Sequence, residues 1–88
     1  MYMAKKIEKK ILVKNPKIGK DYYFFFAGSI EYGKCVNVSE KLTSHYGFKY
    51  YTFEAMQQYT AKNGTEPRMM TYPVAIHDIR ENNPRKIN

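Results

Sequence analysis

The chain has 88 residues, a formal charge of +7, 43% hydrophobic and 16% aromatic residues, which is enough for one small core and too apolar for a disordered chain. Its longest hydrophobic run, residues 22–27, is far short of the roughly 20 residues that cross a bilayer as a helix, and no apolar segment follows the first lysines as a secretory signal requires. A single cysteine, Cys35, excludes an internal disulfide and a cysteine-based zinc site, and two histidines are too few for a histidine-rich metal cage; the expectation is a cytoplasmic protein with no membrane contact and no cofactor.

The first element is ambiguous. Met3, Ile7 and Ile11 recur every fourth residue between lysines, which allows a short N-terminal helix, while Ile11-Leu12-Val13 reads equally well as a strand. Asn15-Pro16 ends either one. From Ile18-Gly19-Lys20-Asp21 a turn leads into the aromatic run Tyr22–Phe26, closed by Ala27-Gly28-Ser29. A continuous apolar run between turn signals reads as a strand covered on both faces, or one with its second face against an N-terminal element. In the next segment, residues 30–39, Ile30, Tyr32, Val36 and Val38 share one parity across Gly33, where a bulge or bend is expected. Cys35 sits in this alternating stretch as an ordinary strand residue.

After the turn Ser44-His45-Tyr46-Gly47, residues 48–54 are dense in aromatic and β-branched side chains and form a third strand, with Tyr51 and Phe53 inward and Tyr50 outward beside Lys49 and Lys34. Residues 55–68 combine a helix-compatible stretch with Asn63-Gly64 and Pro67, the composition of a long connection or a hairpin tip. Met70, Tyr72, Val74 and Ile76 then alternate along a further strand, and His77-Asp78-Ile79 makes a short turn. The fold class is therefore mostly β: a small five-stranded barrel or a strongly bent antiparallel sheet. The division is a basic arm at 1–17, a folded domain at 18–80 and a polar basic tail at 81–88.

The order of these elements, with the Ile18-Gly19-Lys20 entry and the terminal Ile76-His77-Asp78-Ile79 turn, resembles the Src-homology-3-like small β-barrels found in short phage-encoded proteins. The resemblance covers residues 16–80 and implies a binding module for nucleic acid, peptide or protein rather than an enzyme. The chain departs from the peptide-binding members in having no tryptophan, which weakens an aromatic groove for Pro-rich segments.

Charge is segregated. Residues 1–20 hold seven lysines against Glu8, a balance of +6; residues 21–79 carry five basic and six acidic side chains, a balance of −1; residues 80–88 add +2. Lys5, Lys6, Lys9, Lys10, Lys14, Lys17 and Lys20 form an electrostatic arm that meets phosphates irrespective of base sequence, with Lys34 and Lys49 as outlying contributors. Lysines in a small protein also serve solubility alone. Tyr32, Tyr50, Tyr59 and Arg68 are candidates for contact with a host or phage protein, since exposed tyrosines anchor interfaces or stack on bases. An exposed strand edge would allow a homo-oligomer. His77-Asp78 is a turn and not a catalytic pair, Glu31, Glu40, Glu54 and Glu66 lie in four different elements, and the five glycines are single, so no phosphate-binding loop is visible. The chain reads as a non-enzymatic module that binds nucleic acid or a nucleic-acid-handling machine, with protein docking as the alternative.

Overall fold

The computed structural model describes residues 12–86. Strands β1 (Asp21–Phe26), β2 (Ser29–Val38), β3 (Tyr50–Ala61), β4 (Gly64–Ala75) and β5 (Ile79–Arg80) form one antiparallel sheet in the order β4-β3-β2-β1-β5, with a short helix α1 (Glu40–Tyr46) between β2 and β3. Single 3-10 turns occupy Ile76–Asp78 and Pro84–Lys86. The expected five-stranded, mostly β architecture is present as the bent sheet. The barrel alternative is not, because β4 has no second partner.

β1 alternates sharply despite its uniform composition. Tyr22 and Phe24 are buried, whereas Tyr23 and Phe25 lie half-buried on the opposite face, as successive side chains in a strand must. Phe26 pairs with Ser29 across the two-residue turn Ala27-Gly28, both at positive φ (49° and 82°). That conformation suits the twist of a tight hairpin and costs glycine little and alanine more.

β2 is shared between two partners: Ser29–Lys34 pair with β1, and Lys34–Val38 with β3. The register slips between Cys35 and Asn37, which places the bulge at Val36 and not at the expected Gly33. Gly33 answers a different need, since a Cβ there would fall onto the Glu54 carbonyl oxygen and lie 2.9 Å from the Ala55 Cβ. This corrects the expected parity. Cys35 enters the core, Tyr32 turns outward and Val38 ends 39% exposed.

β3 and β4 make one long hairpin in unbroken register from Tyr50↔Ala75 to Ala61↔Gly64. Residues 55–68 are thus its tip, with both strands running through and Gly64 (φ 120°) closing the turn. Ile76 N–H donates to the Lys49 carbonyl (2.8 Å), while Tyr50 donates to Thr43 Oγ1 (3.0 Å) and accepts from Ser39 N–H (2.9 Å). Even-numbered β4 residues therefore bond to β3, and Pro67 and Pro73 stand at positions facing the free edge, where a missing N–H breaks no ladder bond.

The core is Tyr22, Phe24, Cys35, Tyr51, Phe53, Ala55, Tyr72, Val74 and Ile79. Phe24 lies 4.7 Å from Phe53 and 5.5 Å from Tyr72 between ring centroids, and Phe26 lies 4.9 Å from Tyr72. β1 and β4 are not neighbours in the sheet, so these contacts require the sheet to fold over its own inner face. No polar or charged residue is buried among the described residues. Burial pushes the Cys35 thiol and the Tyr51 and Tyr72 phenols above their ordinary pKa values, and the Glu31 carboxylate adds to the effect on Tyr72.

Helix α1 follows Ser39 and stops at Gly47 (φ 84°), whose N–H bonds to the Thr43 carbonyl at 2.9 Å. It buries no residue, so it has no apolar stripe by which a sequence pattern would reveal it. The expected N-terminal helix falls on residues 1–11, outside those described, and Leu12 just beyond them makes a β-bridge to Arg80.

Candidate functional site

Residues 12–20 and 80–81, near the two ends of the described residues, meet at one border of the sheet. Leu12 bridges to Arg80, Arg80 pairs with Tyr23, and Tyr23 pairs with Tyr32, which sets Leu12, Arg80, Tyr23 and Tyr32 in one row across four adjacent segments. Lys20 Nζ reaches Glu81 Oε2 at 2.7 Å and lies 5.2 Å from the centre of the Tyr22 ring, and the hydrogen bond to Glu81 raises the Lys20 pKa. Gly19 N–H donates to the Cys35 carbonyl (2.7 Å) and Cys35 N–H to the Lys20 carbonyl (3.0 Å), while Lys17 N–H donates to the Tyr22 hydroxyl at 2.9 Å. These bonds fix the backbone of the segment that carries Lys17 and Lys20 and leave both side chains exposed.

On the outer face of the same strands the side chains are aromatic. Tyr23 and Tyr32 lie 4.5 Å apart between ring centroids at an interplanar angle of 50°. In the next row Phe25 stands opposite Ile30, and the Arg80 guanidinium lies 5.1 Å from the centre of the Phe25 ring. Arg80 Nη1 donates to the His77 carbonyl (2.6 Å) and the Ile79 carbonyl (3.1 Å). Guanidinium has five donors, so donors remain free after these bonds. Tyr32 is 53% exposed and Leu12 41%.

The other expected site residues distribute differently. Lys5, Lys6, Lys9 and Lys10 lie outside the described residues. Lys14 is exposed two residues beyond the Leu12 bridge. Lys34 sits on the outer face directly across from Asp21 on one side and Glu54 on the other, so its charge is offset locally. It is not beside Tyr50: Glu54 is four residues along β3 from Tyr50, or about 13 Å at the rise of a strand. Lys49 is exposed at the start of β3.

Tyr50 belongs to a second aromatic group near the end of α1, within 5.1 Å of the Tyr46 ring and 5.5 Å of Phe48, with Phe48 5.1 Å from His77. Tyr59 and Arg68 are brought together on the far part of the hairpin, the guanidinium carbon 3.8 Å from the phenol ring centre and Arg68 Nε 3.8 Å from Glu66 Oε2. Tyr59 lies nine residues, about 30 Å, along β3 from Tyr50 and on the opposite face. The four residues expected to make a protein contact therefore do not share one surface.

The residues that sequence reasoning missed are Tyr23, Phe25 and Arg80. An all-aromatic strand hides its own alternation, and only the pairing with Tyr32 and with β5 shows which rings look outward. No group of three or more metal-ligating side chains occurs among the described residues, and no helix among them is long and apolar enough to cross a membrane. Comparison with known protein families, curated proteins and solved structures finds no match for this chain.

Proposed function

We propose that the protein is a small non-enzymatic module that binds nucleic acid through the basic border beside Leu12 and Arg80. The observation that carries this reading is the joining of residues 12–20, with Lys14, Lys17 and Lys20, to Arg80 and Glu81 by the Leu12–Arg80 bridge and the Lys20–Glu81 ion pair, in a chain whose segments 1–20 and 80–88 balance at +6 and +2 while the rest is nearly neutral. Charges of one sign gathered on one border give a field that draws in a polyanion and releases its counterions. The Src-homology-3-like order of elements favours binding over catalysis, and a short phage-encoded protein acting in the host cytoplasm is a setting that fits it.

A second reading, docking on a host or phage protein, is favoured by the far part of the β3–β4 hairpin, where Met56, Tyr59, Met69 and Met70 are 44–58% exposed. By register Met70 shares a face with Tyr59 and Arg68, while Met56 and Met69 stand opposite each other on the other face; flexible methionines beside a tyrosine and an arginine are common at protein contacts. The hairpin tip carries little net charge, so its binding would depend weakly on salt.

The test is a titration of fluorescent oligonucleotides with the full chain and with a variant in which Lys5, Lys6, Lys9 and Lys10 are replaced by glutamine. Affinity is expected to fall by orders of magnitude between about 50 and 200 mM salt, with a shallower slope for the variant. Absence of binding at low salt, or binding indifferent to salt, overturns the reading in favour of the hairpin.

A further inference from the structure

We infer that the ligand of this module is single-stranded nucleic acid, whose bases stack on the outer face of β1 and β2 at Tyr23, Phe25 and Tyr32 while its phosphates lie along the basic border. The inference rests on the polyanion reading above and deepens it by naming the strandedness of the ligand and the surface that reads it.

Two observations carry it. First, the outer face presents rings where a sheet surface open to water ordinarily presents polar side chains: Tyr23 and Tyr32 are paired across strands at 4.5 Å, and Phe25 follows on the same face. Second, the rings and the charge are contiguous. Arg80 stands in the row of Tyr23 and Tyr32 with its guanidinium against Phe25, held by two backbone carbonyls in a position from which its remaining donors can reach a phosphate.

Duplex is the poorer fit. Its bases are already stacked on one another, and its grooves admit a helix or a two-stranded ribbon rather than a sheet face. An unpaired base has a free π-face to lay on a tyrosine, whatever its identity, so binding of this kind tolerates any sequence. The aromatic group around Tyr50 does not offer the same combination, because among the described residues no cation lies over its rings as Arg80 lies over Phe25.

The experiment measures the affinity of the full chain for a labelled 15-nucleotide mixed-sequence single strand and for the corresponding duplex at fixed salt. The chain is compared with Tyr32→Ala and Tyr32→Phe, with thermal melts to confirm that each variant is folded. Tyr32 is 53% exposed, so neither change empties the core. Single strand is expected to bind more tightly than duplex. Tyr32→Ala should weaken single-strand binding by about 5- to 150-fold, the value of one stacked base, with an unchanged salt slope; Tyr32→Phe, which keeps the ring, should restore it. Tight single-strand binding that Tyr32→Ala leaves intact overturns the stacking surface while sparing the basic border, as does a preference for duplex. Failure to bind either polymer at low salt overturns the polyanion reading itself.

Discussion

The β3–β4 hairpin is one ladder in two environments. From Tyr50 to Ala55 its inner face carries Tyr51, Phe53 and Ala55, all buried under β1 and β2; from Met56 onward the same two strands continue in the same register, and every residue from Gln58 to Met70 is exposed. Backbone pairing is unbroken across the boundary, whereas burial stops within one residue. The contrast shows how little inter-strand hydrogen bonding requires of side chains, and how much of the stability of a sheet comes from what covers it. Gln57 marks the boundary, its Nε2 donating to Glu31 Oε1 on β2 at 2.6 Å. Beyond it the pairing is held by contacts within the hairpin, among them Tyr59 with Arg68.

Substitutions on the two sides should differ accordingly. The largest effect is expected for Phe53→Ala, which removes a ring with no solvent exposure packed on Phe24 and Tyr22. A loss of about 3–5 kcal/mol in urea unfolding is typical of such a site and approaches the whole stability of a domain of this size. A loss below about 1 kcal/mol would mean that the packed half is not the core.

Alkaline pH should act on the packed half next. The unfolded tyrosines lose their protons near pH 10, while burial keeps Tyr51 and Tyr72 protonated to higher pH in the folded state. Between those values the folded state binds more protons than the unfolded one, so stability is intact below pH 10 and falls as pH rises through the raised values. Melting temperature measured from pH 8 to 11 should decline on the alkaline side. Tyr51→Phe should flatten the decline, and an unchanged slope in that variant would remove Tyr51 as its source.

The smallest effect belongs to the uncovered half. Tyr59→Ala breaks an exposed cation–π contact and should cost about 0.5–1 kcal/mol at most, with hydrogen exchange quickening at the tip and not in the core. A cost as large as that of Phe53→Ala would show that the tip packs against something.

Much of this was legible from the chain itself and some was not, for identifiable reasons. Alternation at Tyr51 and Phe53, and at Tyr72 and Val74, announced their burial, and Asn63-Gly64 announced a turn while leaving a long connection and a hairpin tip both open. β2 misled because Gly33 invited a bulge that belongs three residues later: before the slip Gly33 and Cys35 face inward in place of Ile30 and Tyr32, and after it Val38 returns to the side of Tyr51 at an exposed end of the sheet. α1 left no trace in hydrophobic periodicity because nothing on it is buried. At the candidate site, the lysines and Tyr32 were visible as residue types, but the pairing of Leu12 with Arg80 joins positions 68 residues apart in sequence, which no local pattern encodes.

The two prolines on β4 bear on how the molecule tolerates its own concentration. A twelve-residue outer strand would ordinarily invite another chain to zip alongside it and, by repetition, a growing filament. Pro67 and Pro73 interrupt that seam on the outward side and leave only Met69 and Thr71 between them with donors facing out. A newcomer would gain a short grip and then meet two gaps, so lateral growth stalls while the inward ladder stays whole.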